Sequence, residues 1–131
     1  MKLHGVGIDI VNILRFKNIL NKNKNIEKRI FNQKELKYCK RKRKTQINCL
    51  AKRFAAKEAF SKSLGTGFSR GLSFNEVLVE NDKFGKPKIN IIGQSKLVVN
   101  KIFKNKKYKF SISLSDDKPS AIAIVFATYE K

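Results

Sequence analysis

Acidic residues are scarce in this chain. Ten Asp and Glu stand against thirty Lys and Arg, for a net charge of +20. That imbalance implies an anionic partner: nucleic acid, a phosphorylated small molecule, an acidic protein or a membrane surface. The joint richness in Lys, Asn and Ile, as in Asn21–Asn25 (NKNKN), also reads as a compositional bias, so charge alone selects none of these. The single histidine, His4, excludes a histidine-built metal site or dyad and reads as a strand residue near the start of the chain. The two cysteines, Cys39 and Cys49, lack metal-ligand or redox-motif spacing and are expected to be reduced thiols in or near helices. No apolar run reaches the ~18 residues of a membrane-spanning helix. The first residues pass directly into strand-like sequence without the features of a secretory signal. No repeat or low-complexity linker divides residues 1–131, so one cytoplasmic domain with no membrane partner is expected.

What is present reads as an α+β chain with mainly antiparallel sheet packed against a long central helix and shorter helices. Leu3–Val11 is β-branched and strand-like. Asn12 is placed to cap a helix through about Leu20, and NKNKN reads as a loop. After a helical turn at Ile26–Phe31, Asn32 and Glu35 have capping-box spacing and open a helix to about Lys40. The basic run around Arg41–Lys44 reads as a solvated connector or, alternatively, a nucleic-acid patch. The longest helix starts at Thr45 or Gln46 and stops at Gly65 or Gly67. Strands are expected at Glu76–Glu80 and Lys88–Ile92 around a Gly85-Lys86-Pro87 turn, then a helix over Gln94–Phe103. Two last strands, Tyr108–Ser115 and Ser120–Ala127, flank Asp116–Pro119.

Two of the few acids stand where apolar residues are patterned. Asp9 interrupts the Val and Ile run of the first strand. Glu58 continues the long-helix stripe of Ile47, Leu50, Ala51 and Phe54. Taken singly, Glu58 also reads as an i, i+4 surface partner of Lys62, and Asp9 as a strand-end acid bonded to backbone N–H groups. Taken together, they suggest a hard divalent cation held by oxygen ligands, commonly one or two carboxylates with water and phosphate oxygens. Lys57 and Lys62 flank Glu58, Ser61 adds a hydroxyl, and Gly65-Thr66-Gly67 permits close backbone approach. That combination suits phosphoryl-type chemistry. The glycine pair is not a P-loop, because it follows a helix and lacks that motif's order.

With these residues in view, the sequence resembles the holo-acyl-carrier-protein synthases of the phosphopantetheinyl transferase superfamily. Gly7-Ile8-Asp9-Ile10-Val11 is similar to the family's G-x-D-[IV] motif. The stretch from Arg53 to Gly67 (RFAAKEAFSKSLGTG) is similar to R-F-x-x-K-E-A-x-x-K-x-x-G-T-G, and Gly85-Lys86-Pro87 to the following G-K-P turn. The likeness runs from Gly5 to about Val125.

The resemblance implies the phosphopantetheinyl transferase fold and a Mg²⁺-dependent enzyme with coenzyme A as co-substrate. Such an enzyme moves 4′-phosphopantetheine to a serine of apo acyl carrier protein, releases adenosine 3′,5′-bisphosphate, and serves fatty acid biosynthesis. By the same resemblance Asp9 and Glu58 ligate the metal, and Lys62 neutralises the pyrophosphate. Arg53, Ser61 and Gly65 line the coenzyme A site, Lys86 and Pro87 border the nucleotide, and Arg15 receives the acidic carrier protein. Short members of the family form homotrimers that hold coenzyme A between subunits. Where many members carry a histidine before the last strand, this chain has Asp116, which is expected to orient a water. The competing readings are a small nucleic-acid-binding protein, which leaves Asp9 and Glu58 unexplained, and an inactive coenzyme A-binding assembly subunit, which leaves the intact motifs unexplained. No nucleic-acid partner is therefore expected.

Overall fold

A computed structural model describes residues 1–131. Strand β1 (Lys2–Asn12) runs directly into helix α1 (Ile13–Lys22). The Asn12 side chain caps α1 by accepting from the Arg15 N–H at 2.9 Å. The N–H of Ile13 donates to the carbonyl of Pro119 at 2.9 Å, so a helix-terminal donor is satisfied by the turn before the last strand. NKNKN is not a loop: α2 (Lys24–Ile30) follows α1 with only Asn23 between them. Asn23 serves as C-cap of one and N-cap of the other, its side chain accepting from the Asn25 N–H. Helix α3 (Gln33–Lys40) begins with the expected Asn32/Glu35 capping box. The basic run is exposed and ends in a 3₁₀ turn, Arg43–Thr45.

Helix α4 (Gln46–Leu64) is the axis of the molecule and stops at Gly65, in the left-handed region at φ 81°. A hairpin of β2 (Val77–Asn81) and β3 (Pro87–Ile91) forms one antiparallel sheet. After α5 (Gly93–Ile102), strands β4 (Tyr108–Asp117) and β5 (Ser120–Tyr129) join β1 in an antiparallel sheet of order β1-β5-β4. None of the helices is long and apolar enough to cross a membrane.

The inner face of this sheet is made of small residues so that α4 can lie on it. Ala121, Ala123, Val125 and Ala127 of β5 are buried against it. On β1, a Cβ added at Gly7 would come within 1.7 Å of the Ala59 carbonyl oxygen, and one at Gly5 within 2.1 Å of that of Ser63. Helix backbone and strand backbone therefore touch where any other side chain would stand. The alternation that turns Gly5 and Gly7 inward also turns Asp9 and Val11 toward α4 and leaves Val6, Ile8 and Ile10 exposed on the outer face.

Behind α4, the rings of Phe16, Phe54, Phe74 and Phe68 stack in sequence, with centroid spacings of 5.1, 5.9 and 3.7 Å. His4, at a register shift in β1, packs its ring on Phe103 at 4.8 Å.

Two expectations about α4 need correction. Lys57, expected with Lys62 to flank Glu58 in a phosphate-binding set, is not available to one. It is fully buried on the far side of the helix, its ammonium 2.6 Å from Glu35 Oε1 and donating to the carbonyls of Ile30 (2.8 Å) and Phe74 (2.7 Å). Glu35 accepts in turn from the N–H of Asn32 and, through its other oxygen, of Val79. One buried ion pair thus ties α2, α3, α4 and β2 together, and burial brings the Lys57 pKa down to about 8 against the opposing pull of Glu35. The second correction concerns the cysteines. Cys39 and Cys49 form a disulfide, because α3 folds back onto the start of α4 and places their Cα atoms 5.5 Å apart.

Gly7→Ala is expected to cost about 3 kcal/mol or more, at the upper end of overpacking, because the clashing atom is helix backbone. Gly65→Ala meets open space and should cost only about 1–2 kcal/mol of left-handed strain; urea unfolding of both variants measures the difference. Lys57→Met strands the buried Glu35 carboxylate and should cost about 3–5 kcal/mol in the same measurement.

Candidate active site

The Asp9 carboxylate faces the C-terminal half of α4. Lys62 reaches across to it, Nζ lying 3.2 Å from Asp9 Oδ1 and donating to the carbonyl of Ile8 at 3.0 Å. Lys62 is therefore not the i, i+4 partner of Glu58, and the chain's salt bridges leave Glu58 out. Asp9 and Glu58 line one cleft together with Arg15 and Ile19 of α1. The Glu58 pKa is raised, first by burial and then by the Asp9 charge, with Lys62 opposing both. Two carboxylates that repel each other at the mouth of a cleft form a donor set a hard cation would stabilise. No third acidic, His or Cys side chain joins them, and Mg²⁺ is compatible with such a pair, since water and phosphate oxygens commonly complete its shell.

A larger cavity, of about 650 Å³, opens at the other end of α4 between α3, the β2–β3 turn and β4. Arg53 forms part of its wall. Its guanidinium donates to Cys49 Sγ at 3.3 Å and to Asn81 Oδ1, and lies 4.5 Å from the Tyr38 ring centroid. The buried Nε has no partner, and burial pulls the Arg53 pKa down. A guanidinium forming part of a cavity wall suits a phosphate-bearing ligand. Asn81 also donates to the carbonyl of Gly85, and Asp82 accepts from the N–H of Lys86, so the hairpin turn presents Lys86 and Pro87 to the same cavity. Asp116 lines it too. Its pKa is lowered, chiefly by the hydrogen bond from Asn48 (2.9 Å) and then by Lys52 (2.9 Å).

The structure thus sorts the expected residues into two groups. Asp9, Arg15, Glu58 and Lys62 converge at one end of α4. Arg53, Lys86, Pro87 and Asp116 converge at the other. The ion pairs at Lys52 and Lys62 are ten residues apart, about 15 Å along a helix axis. Gly65 sits just beyond the first group, exposed at the helix end. Ser61 is buried in this chain, its hydroxyl donating to the Glu58 carbonyl at 2.7 Å. Tyr38, Asn48, Lys52 and Asn81 were not legible as cavity residues. No local motif marks them, and only the folding of α3 and the hairpin onto α4 collects them.

Comparison with known proteins bears on the family and the fold. The model of the 4′-phosphopantetheinyl transferase superfamily matches residues 5–126. A protein of Pelagibacter ubique named holo-[acyl-carrier-protein] synthase is 43% identical over 125 residues, covering 95% of this chain and 96% of its own. The crystal structure of the holo-ACP synthase from Plasmodium yoelii superposes with a TM-score of 0.83 at 33% identity, over 98% of this chain and 97% of that one. The Helicobacter pylori holo-[acyl-carrier-protein] synthase, solved in complex with coenzyme A, gives 0.79 at 30% identity, over 94% and 99%. The family-model match over residues 5–126, the 43% identity to a relative over nearly the full chain and the shared fold place this protein in the 4′-phosphopantetheinyl transferase superfamily.

Proposed function

We infer that the protein transfers 4′-phosphopantetheine from coenzyme A to a serine of an apo acyl carrier protein, as a single transferase domain acting in the cytoplasm in support of fatty acid synthesis. The observation that carries this reading is the convergence of Asp9 and Glu58, far apart in sequence, with Lys62 between the strand and the helix. Relatives bearing the holo-acyl-carrier-protein synthase name, and a structural neighbour holding coenzyme A, supply the substrates.

In this reading Asp9 and Glu58 hold a Mg²⁺, whose contribution is charge neutralisation on the pyrophosphate. Lys62 offsets the negative charge that builds on the departing phosphate when the serine oxygen attacks the β-phosphorus. Arg53 and Lys86 receive the phosphates of the nucleotide, Pro87 borders it, and Gly65 gives room at the helix end. Ser61 joins this set when its hydroxyl turns outward from the Glu58 carbonyl. Asp116, kept ionised by Asn48 and Lys52, is suited to orienting a water and not to carrying a proton at neutral pH. Arg15, in the cleft of Asp9 and Glu58, meets the acidic carrier protein.

A homotrimer brings together what one chain separates. The two residue groups line separate cavities along α4, and the outer face of the β1-β5-β4 sheet exposes Val6, Ile8, Ile10, Ile122 and Phe126. An apolar face of that kind marks an association surface. Packing it against neighbouring copies would let one subunit's metal end meet another's nucleotide end.

Mass spectrometry of an apo carrier protein incubated with coenzyme A should show the gain of one phosphopantetheine, abolished by EDTA. No gain with metal present overturns the reading. Glu58→Gln should lower turnover by about 100-fold or more. Yet in metal-free buffer it should raise Tm. The Glu58 pKa is raised in the fold, so the folded state binds this proton more tightly than the unfolded chain does. Stability therefore falls as pH rises from the ordinary carboxylate value through the raised one, and the advantage of the variant should widen over that range and level off above it. Carrier-protein modification should slow about tenfold or more between low and high salt, because the +20 charge steers an acidic substrate. Initial rates at fixed Mg²⁺ across a salt series measure this.

A further inference from the structure

The disulfide between Cys39 and Cys49 sits behind the larger cavity, and three contacts tie it to the cavity wall. Cys49 itself lines the cavity, whereas Cys39 is wholly enclosed. Tyr38, the residue before Cys39, faces the cavity and carries the Arg53 guanidinium over its ring at 4.5 Å. Arg53, one helical turn after Cys49, donates to Cys49 Sγ at 3.3 Å. The bridge thus clamps α3 to the first turns of α4 at the point where the pair presented to the cavity, Tyr38 and Arg53, is assembled. The segment it closes, residues 39–49, contains the exposed basic run and the 3₁₀ turn, with Arg43 at φ 50°.

We propose that Cys39–Cys49 is a reversible thiol–disulfide site whose redox state sets the affinity of the cavity for its phosphorylated ligand. The proposal rests on the assignment of that cavity to the nucleotide end of coenzyme A. The chemistry needs a dithiol reductant, and its accessible target is Cys49. A reductant thiolate attacks Cys49 Sγ through the cavity, the Cys39–Cys49 bond breaks, and the electron pair leaves on Cys39, which takes up a proton. The reductant's second thiol then attacks the mixed disulfide and releases the Cys49 thiolate beside the Arg53 guanidinium. A neighbouring cation favours a thiolate, so Cys49 is a competent leaving group. Two electrons pass from reductant to protein, one of the reductant's protons ends on Cys39 and the other goes to solvent while Cys49 stays a thiolate, and the reductant ends as a disulfide. The reverse exchange, with a small-molecule disulfide such as oxidised glutathione, restores the bridge.

Once the bridge opens, α3 is held to α4 by the Glu35–Lys57 pair one helical turn from the cavity, but the loop and Tyr38 lose their anchor. Arg53 then loses the fixed ring and sulfur that aim it. A ligand filling the cavity covers the route to Cys49 and so slows reduction. Because the oxidised form binds the ligand more tightly, bound ligand also favours the bridged form at equilibrium, by linkage.

The test uses the full-length protein equilibrated in oxidised glutathione or in dithiothreitol, together with the Cys39→Ser/Cys49→Ser double variant. Alkylation and mass spectrometry count the thiols, calorimetry measures coenzyme A affinity, and amide hydrogen exchange follows residues 38–50. The expected result is no free thiol in oxidised glutathione and two in dithiothreitol. Coenzyme A affinity should be about fivefold or more weaker in the reduced and double-serine forms. Exchange should be faster at residues 38–50 in those forms, and adenosine 3′,5′-bisphosphate should slow the reduction. Two free thiols in oxidised glutathione, or equal exchange at 38–50 in all three forms, overturns the proposal. So does equal affinity in all three forms that do bind. If no form binds coenzyme A while exchange at 38–50 still responds to redox state, the redox site stands and the nucleotide assignment of the cavity falls.

Discussion

The approach of α4 to β1, backbone against backbone, is the constraint on which the rest of the molecule depends. It exists because Gly5 and Gly7 have no Cβ and because β5 offers alanines beside them. A helix seated that deep brings its side chains level with the inward-facing residues of the strand. Asp9, the next inward residue after Gly7, is thereby placed against Lys62 and beside Glu58. Were α4 held farther off by ordinary side chains, the two carboxylates would belong to separate surfaces. The glycine of the G-x-D stretch is a packing residue whose consequence is electrostatic.

Charge is handled in opposite ways on the two sides of α4. On the inner side, Lys57 and Glu35 are dry and fully partnered, and their network of backbone acceptors and donors fastens the shorter helices and the hairpin to the axis. Toward the cleft, Asp9 and Glu58 are only half-buried, and Glu58 is left without an ion-pair partner. The first arrangement stabilises the fold. The second opposes folding, since burial and the Asp9 charge both push the Glu58 pKa up. Helix termini show the same division of labour. Asn12, Asn23 and Asn32 spend their side chains on capping, whereas the exposed lysines and arginines remain available to an anionic partner.

Much of this was legible in the linear chain. The Asn32/Glu35 spacing announced a capping box, Gly65 announced the end of α4, and the turn residues around Lys86 and Pro87 announced the hairpin. Asp9 and Glu58 stood out because a carboxylate in an apolar pattern demands compensation. Other features were misread because local pattern is silent on what lies opposite. The helical repeat distinguishes Lys57 from Glu58 by only one position, and it could not show that Glu35, twenty-two residues earlier, waits on the buried side. NKNKN carries loop-like residues, yet asparagine is also the residue that lets one helix end and another begin.

The sequence by itself determined most helix and strand boundaries, NKNKN apart, and which strand positions alternate inward, and it singled out two acids standing in apolar patterns. These follow from capping, turn chemistry and periodicity, which act over a few residues. Only the tertiary structure decided that Lys62 reaches Asp9, that Lys57 is buried, that Cys39 meets Cys49, and that Asp116 stands with Asn48 and Lys52 far from Glu58. Each depends on how elements distant in sequence are laid against one another. That arrangement is set by the summed burial of the whole core and the depth at which α4 can sit on the sheet, and no single stretch of the chain encodes it.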